Sequence, residues 1–171
     1  MRNDAPSLTA TAGKAEIYRE VAQSLAALLG DERDVIANAA NTAALLFMTL
    51  PEVNWAGFYF LRGGALVLGP FQGKPACVRI AVGQGVCGTA AQMQRSVLVP
   101  DVHDFPGHIA CDVASASELV VPLIAQGRLR GVLDLDSPVK SRFDHEDQTC
   151  IEKIAAYFVM ASDWEQAEPA P

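Results

Sequence analysis

The sequence predicts an α+β domain: a mainly antiparallel sheet of about six strands, with N- and C-terminal helices packed on one face and loops over the other. Three observations lead there. Helical apolar spacing is confined to the first fifty residues and the last thirty, while the middle alternates in strand fashion. Turn signals such as Gly63-Gly64 and Gln126-Gly127-Arg128 join neighbouring strands as hairpins, which makes them antiparallel. A chain of 171 residues is near the usual size of one domain and long enough to bury a substantial core.

Taken in order, residues 1–12 are small and polar and read as a flexible segment before a single domain over 13–164. Ile17, Val21, Leu25, Leu28 and Leu29 recur at helical spacing ahead of Gly30, which predicts a helix over 13–29. A second helix, from near Asp31, carries Val35, Ile36, Ala39, Ala43, Leu46 and Leu50 until Pro51 stops it. Residues 53–61 and 65–71 form a hairpin, with Trp55, Gly57 and Tyr59 on one face and Ala56, Phe58 and Phe60 on the other, the side expected to meet the helices.

Gly73 and Pro75 interrupt the chain before a short strand over 77–81. The run from Gly83 to Gly88 opens a brief helix that is over by Arg95, and 96–99 is another strand. Residues 100–117 lack a period and read as a long ordered loop, a feature usually tied to function. A last hairpin pairs 118–125 with 129–136. Asp144 and Asp147 cap a closing helix that carries Ile151, Ile154, Ala155, Phe158 and Ala161, with Cys150 beside that face. Residues 165–171 read as a flexible acidic tail.

Composition narrows the function. A net charge of -7 without a basic, aromatic-rich patch argues against nucleic acid, and no apolar run is long enough to span a membrane. The start lacks a signal-peptide pattern, so a cytoplasmic location is expected. In that reducing compartment clustered thiols are more often catalytic or metal-binding than structural. Cys77, Cys87 and Cys111 fall within thirty-five residues, with His103 and His108 nearby. The Cys-x9-Cys and Cys-x23-Cys spacings lack the close Cys pair of structural zinc sites, so no metal is expected. Both histidines read as loop hydrogen-bonding residues.

Gly83-x-Gly85-x-x-Gly88 matches the pattern of a dinucleotide loop, but it lacks a full parallel βαβ unit. It reads instead as a turn that puts Cys87 at a helix N-terminus, where the helix dipole favours a thiolate. Asp134 and Asp136 share one face of a strand, roughly 7 Å apart, and Glu118 starts the partner strand. Beside Trp55 and Tyr59 these acids suggest a ligand pocket in which at least one carboxyl stays protonated.

The segments 54–59, 68–73, 83–88, 101–103, 106–112 and 131–137 together resemble the GAF-domain free methionine-(R)-sulfoxide reductases, over about residues 13–160. The resemblance implies a GAF-like fold with its active site under the loops. It implies reduction of free L-methionine (R)-S-oxide with thioredoxin as reductant, and a homodimer. Carried over by motif, Cys111 is the nucleophile, with Glu118, Asp134 and Asp136 as the carboxylates that polarise the oxygen and hold the ammonium. Cys77 is then the resolving thiol, Cys87 an accessory or alternative relay, and Trp55 and Tyr59 contact the methionine side chain. No bound cofactor is expected, only a redox-active disulfide. The alternatives are a non-catalytic small-ligand sensor and a thiol redox sensor.

Overall fold

The computed structural model describes residues 13–107 and 114–165. Its elements are α1 (Lys14–Leu29), α2 (Val35–Thr49), β1 (Trp55–Arg62), β2 (Ala65–Gly73), β3 (Arg79–Ala81), α3 (Gly85–Met93), β4 (Val97–Val99), a 3-10 turn (Val102–Asp104), β5 (Ser117–Ala125), β6 (Arg128–Ser137) and α4 (His145–Ala161). The strands form one sheet in the order β3-β2-β1-β6-β5-β4, with every described pairing antiparallel. The hairpins β1–β2 and β5–β6 meet at the centre through β1 and β6, and the three-residue strands close both edges. The expected α+β architecture is the observed one.

Strand alternation divides the sheet into two unlike faces. Ala56, Phe58 and Phe60 of β1 join Leu133 and Leu135 of β6 in the larger core, against Leu25, Leu29, Leu46, Ile151 and Phe158 of α1, α2 and α4. Each large apolar side chain buried there is worth about 1.5–3 kcal/mol. Trp55, Tyr59, Val120 and Val132 face the other way and meet Val86, Cys87 and Ala90 of α3. Three helices therefore supply most of the hydrophobic stability on one side, which leaves the other side to carry polar groups. Among the described residues no helix is long and apolar enough to cross a membrane.

Several boundaries move from those the periodicity predicts. α2 begins at Val35, because the Asp34 side chain accepts from the Ala37 amide at 2.8 Å and caps the helix there. The strand expected over 77–81 shortens to Arg79–Ala81, the three residues paired with Val67, Leu66 and Ala65. The loop after β4 contains the 3-10 turn, and its later part, 108–113, lies outside the described residues, as do 1–12 and 166–171.

The cap of α4 does more than start a helix. Asp144 and Asp147 form a reciprocal capping box, and the Asp147 carboxylate, with no side-chain exposure, also accepts from Lys14 Nζ at 2.7 Å, Tyr18 OH at 2.7 Å and Arg142 Nη1 at 3.3 Å. It thereby fastens α1 to α4. Removing one partner of a buried ion pair typically costs about 3–5 kcal/mol, because the remaining charge is left uncompensated. We expect Asp147→Ala to lose about that much stability in urea unfolding, and Tyr18→Phe about 1 kcal/mol. Equal losses for the two variants would refute the hub role of the carboxylate.

Candidate active site

The face opposite the three helices holds a pocket whose lining includes Trp55, Tyr59, Cys87, Glu118, Asp134 and Asp136. Register explains the convergence. Asp136 of β6 lies across from Trp55 of β1 and Glu118 of β5, while Asp134 lies across from Gly57 and Val120. Because strand side chains alternate, Asp134 and Asp136 must share a face, and Glu118 arrives beside them on the neighbouring strand. Glu118 and Asp134 are buried, whereas Asp136 is half-buried.

The apolar wall is a run of stacked rings. Trp55 lies 5.3 Å from Phe71 and 5.9 Å from Tyr59 between centroids. Gly57 makes this possible, since a Cβ there would stand 2.6 Å from the Trp55 ring and 2.4 Å from Phe71 Cβ. The polar edges are satisfied: Trp55 Nε1 donates to the Lys74 carbonyl and Tyr59 OH to the Cys77 carbonyl, each at 3.1 Å. Two hydrogen bonds thus tie the wall to the segment that carries Cys77.

The glycine run before and within α3 brings Cys87 close to the sheet. A Cβ on Gly88 would lie 2.4 Å from the Ala81 carbonyl oxygen, and the Gly83 amide donates to the Gly88 carbonyl at 2.8 Å. These glycines serve a tight strand-to-helix junction. Cys87 sits in the first turn of α3 as expected, with its Sγ 4.0 Å from Glu118 Oε1. Its thiol is not acidified, however. Burial first, then the charges of Asp134 and Glu118, push the Cys87 pKa well up, and these outweigh the helix dipole.

Cys87, Glu118 and Asp134 each offer one sulfur or oxygen within 4.8 Å of the others. Burial, followed by repulsion from Asp134 and Asp136, pushes Glu118 well up. Burial raises Asp134 to about 7, partly offset by hydrogen bonds from Cys87 and Glu118. One Asp134 oxygen, Oδ1, is buried without a hydrogen-bond partner. A metal at this trio would have to displace protons that the site holds firmly. Tyr59 is likewise kept neutral by burial, then by Asp134, and remains a donor.

The structure therefore brings together six of the sequence-derived candidates. Cys77 follows the lining residue Ala76; it is half-buried and disulfide-bonded, while Cys87 and Cys150 are free thiols. Cys150 lines a groove with Tyr18, Leu25 and Tyr157 on the helix side of the sheet. His103 is exposed and bonded to Asp101, consistent with a loop role. Cys111 and His108 lie outside the described residues. Sequence reasoning missed Gln84, Ser115, Ile80 and the supporting ring of Phe71. Phe71 had a signal, since pairing β1 with β2 sets it opposite Gly57; Ser115, in an aperiodic loop, had none.

Burying these acids makes stability depend on pH. Between the ordinary value of 3.8 and about 7, folded Asp134 holds a proton that the unfolded chain has released. Stability must then fall as pH rises through that range, at about 1.4 kcal/mol for each tenfold difference in proton affinity. Urea midpoints measured from pH 4 to 8 should decline for the wild type and decline less steeply for Asp134→Asn, where buried Glu118 still contributes. Parallel profiles would show that Asp134 is not a source of the effect.

The GAF domain family model matches residues 14–161. Protein YtsP of Bacillus subtilis is 55% identical over 144 residues, covering 83% of this chain and 88% of that protein. The free methionine-R-sulfoxide reductase of Escherichia coli is 50% identical over 143 residues, covering 84% and 87%. The X-ray structure of the free methionine-R-sulfoxide reductase from Neisseria meningitidis, in complex with its substrate, has a TM-score of 0.86 to this fold. It is 43% identical, covering 89% of this chain and 92% of that one. With its six-stranded antiparallel sheet and near full-length matches, this chain belongs to the GAF domain family, in its free methionine-(R)-sulfoxide reductase group.

Proposed function

We propose that this protein reduces free L-methionine (R)-S-oxide to L-methionine in the cytoplasm, with thioredoxin as the reductant. The observation that carries the reading is the pairing of a stacked aromatic wall with buried, proton-holding carboxyls around one pocket. A sulfoxide sulfur accepts a thiolate only when its oxygen is protonated or strongly hydrogen-bonded, so the chemistry needs an acid that still holds its proton at neutral pH. Raised Glu118 and Asp134 meet that need. The half-buried Asp136 and the unpartnered Oδ1 of Asp134 suit the ammonium group of a free amino acid. Trp55 and Tyr59 offer ring faces to the sulfur and methyl group.

In the proposed cycle the Cys111 sulfur attacks the sulfoxide sulfur while the oxygen takes a proton from the carboxyl pair. Methionine leaves and Cys111 becomes a sulfenic acid. The Cys77 thiol then condenses with it, forming a disulfide and releasing water. Two thiols have been oxidised and one sulfoxide reduced, and the thioredoxin dithiol restores the starting state by exchange. The disulfide-bonded state of Cys77, with Cys87 and Cys150 free, supports the resolving role. Cys87 is an accessory group.

Thioredoxin-coupled NADPH consumption tests the reaction. Turnover is expected with the free R-sulfoxide and not with the S-sulfoxide or an R-sulfoxide peptide; a protein with intact thiols that turns over none of them would refute the reading. Cys111→Ser should abolish both sulfenic acid and methionine release. Cys77→Ser should release one methionine per chain and then stall, whereas sustained cycling would remove it from the resolving role. Trp55→Ala should raise KM with a smaller effect on kcat, as loss of a binding wall does.

A further inference from the structure

Cys87, Glu118 and Asp134 come from three elements, α3, β5 and β6, yet their sulfur and two oxygens all lie within 4.8 Å of one another. All three residues are buried, Cys87 at 3% exposure and the two acids at 6% each. Cys87 Sγ stands 4.0 Å from Glu118 Oε1. A tetrahedral zinc ion, with sulfur at about 2.3 Å and oxygen at about 2.0–2.2 Å, sets such ligands roughly 3.4–3.6 Å apart. Side-chain adjustments of about 1 Å or less would therefore close the trio around an ion. A second observation points to a cation: Asp134 lines the pocket, and its Oδ1 is buried without a hydrogen-bond partner. Such an acceptor is costly unless something occupies it. The adjoining cavity of about 40 Å³ has room for an ion and a water, since one water needs about 10–15 Å³. Cysteine spacing cannot reveal a site of this kind, because two of its three ligands are carboxylates brought together by the pairing of β5 with β6.

We propose that Cys87, Glu118 and Asp134 form a zinc-binding site, with water or the neighbouring Asp136 in the fourth position. The ligand set selects the metal. One thiolate with two carboxylates suits a borderline ion such as zinc, whereas calcium and magnesium take all-oxygen shells of higher coordination number and copper(I) prefers sites richer in sulfur. The ion is an inhibitor of the proposed reaction, not its cofactor. It takes the two acids and the orphan oxygen that the amino-acid ligand would use, so ion and ligand exclude each other. The site itself stands apart from the reductase reading; the mutual exclusion rests on it. Protons compete as well, because the thiol and any protonated carboxyl must release theirs to bind. The other titratable groups lining the pocket are Tyr59 from β1 and Asp136 from β6, and among the described residues no Lys, Arg or His lines it. Zinc affinity must therefore rise with pH.

The disulfide form of the protein isolates the site, because Cys77 is then bonded while Cys87 and Cys150 are free thiols. Anaerobic titration with cobalt(II), a spectroscopic stand-in for zinc, should give a sulfur-to-cobalt charge-transfer band and the intense visible bands of a four-coordinate ion, both bleached by added zinc. The charge-transfer band should vanish in Cys87→Ser and persist in Cys150→Ser. Its absence from the wild type, or the reverse pattern in the variants, would overturn the site. Asp134→Asn should weaken zinc at least about tenfold, read by competition with a chromophoric chelator, and an unchanged affinity would break up the trio. Affinity should rise by about tenfold per pH unit for each proton expelled; a pH-independent affinity would exclude a thiolate ligand. Free methionine R-sulfoxide should bleach the cobalt bands, and bands that withstand it in a protein that turns the sulfoxide over would overturn the mutual exclusion. A protein that binds cobalt through Cys87 yet reduces no sulfoxide would keep the site and lose the reductase reading.

Discussion

Burying Glu118 and Asp134 beside the Cys87 thiol carries a heavy desolvation cost, and much of the fold serves to hold the arrangement. Two carboxylates that close, both removed from water, cannot both ionise cheaply. Nothing in the β5–β6 pairing allows them to move apart, because a one-residue slip would also turn Leu119, Leu133 and Leu135 away from the helix-side core. The apolar face thus enforces the polar one. The penalty appears as retained protons, which are what acid chemistry on a sulfoxide oxygen requires.

The aromatic wall follows the same logic of preset geometry. Phe71, Trp55 and Tyr59 stack over Gly57, and the two hydrogen-bonding rings are anchored to backbone carbonyls. Rings fixed in this way lose little freedom when a ligand arrives, so less of the contact energy is spent on ordering the site. Opposite them the Asp147 hub locks α1 onto α4.

Much of this was legible in the sequence, because it depends on periodicity. The two faces of β1, the shared face of Asp134 and Asp136, the capping pair on α4 and the hairpins all follow from alternation, helical spacing or turn residues. What escaped depends on distant partners. Lys14 and Tyr18 reach Asp147 across about 130 positions, and β3 is only as long as its partner strand allows. The protonation of Cys87 escaped for a related reason. Helix position is local and readable, whereas the desolvation and the two facing acids that overrule it exist only after folding.

The sheet stops at β3, whose three residues pair with β2 alone, and Cys77 lies two positions before it. Cys77 is therefore a sulfur at the rim, half-buried and followed by the exposed Val78, while Cys87 is enclosed beneath α3. A macromolecule can visit a rim but cannot enter a small enclosed pocket. In the proposed cycle this separation would let electrons reach Cys77 from another protein without that protein displacing the small molecule's contacts.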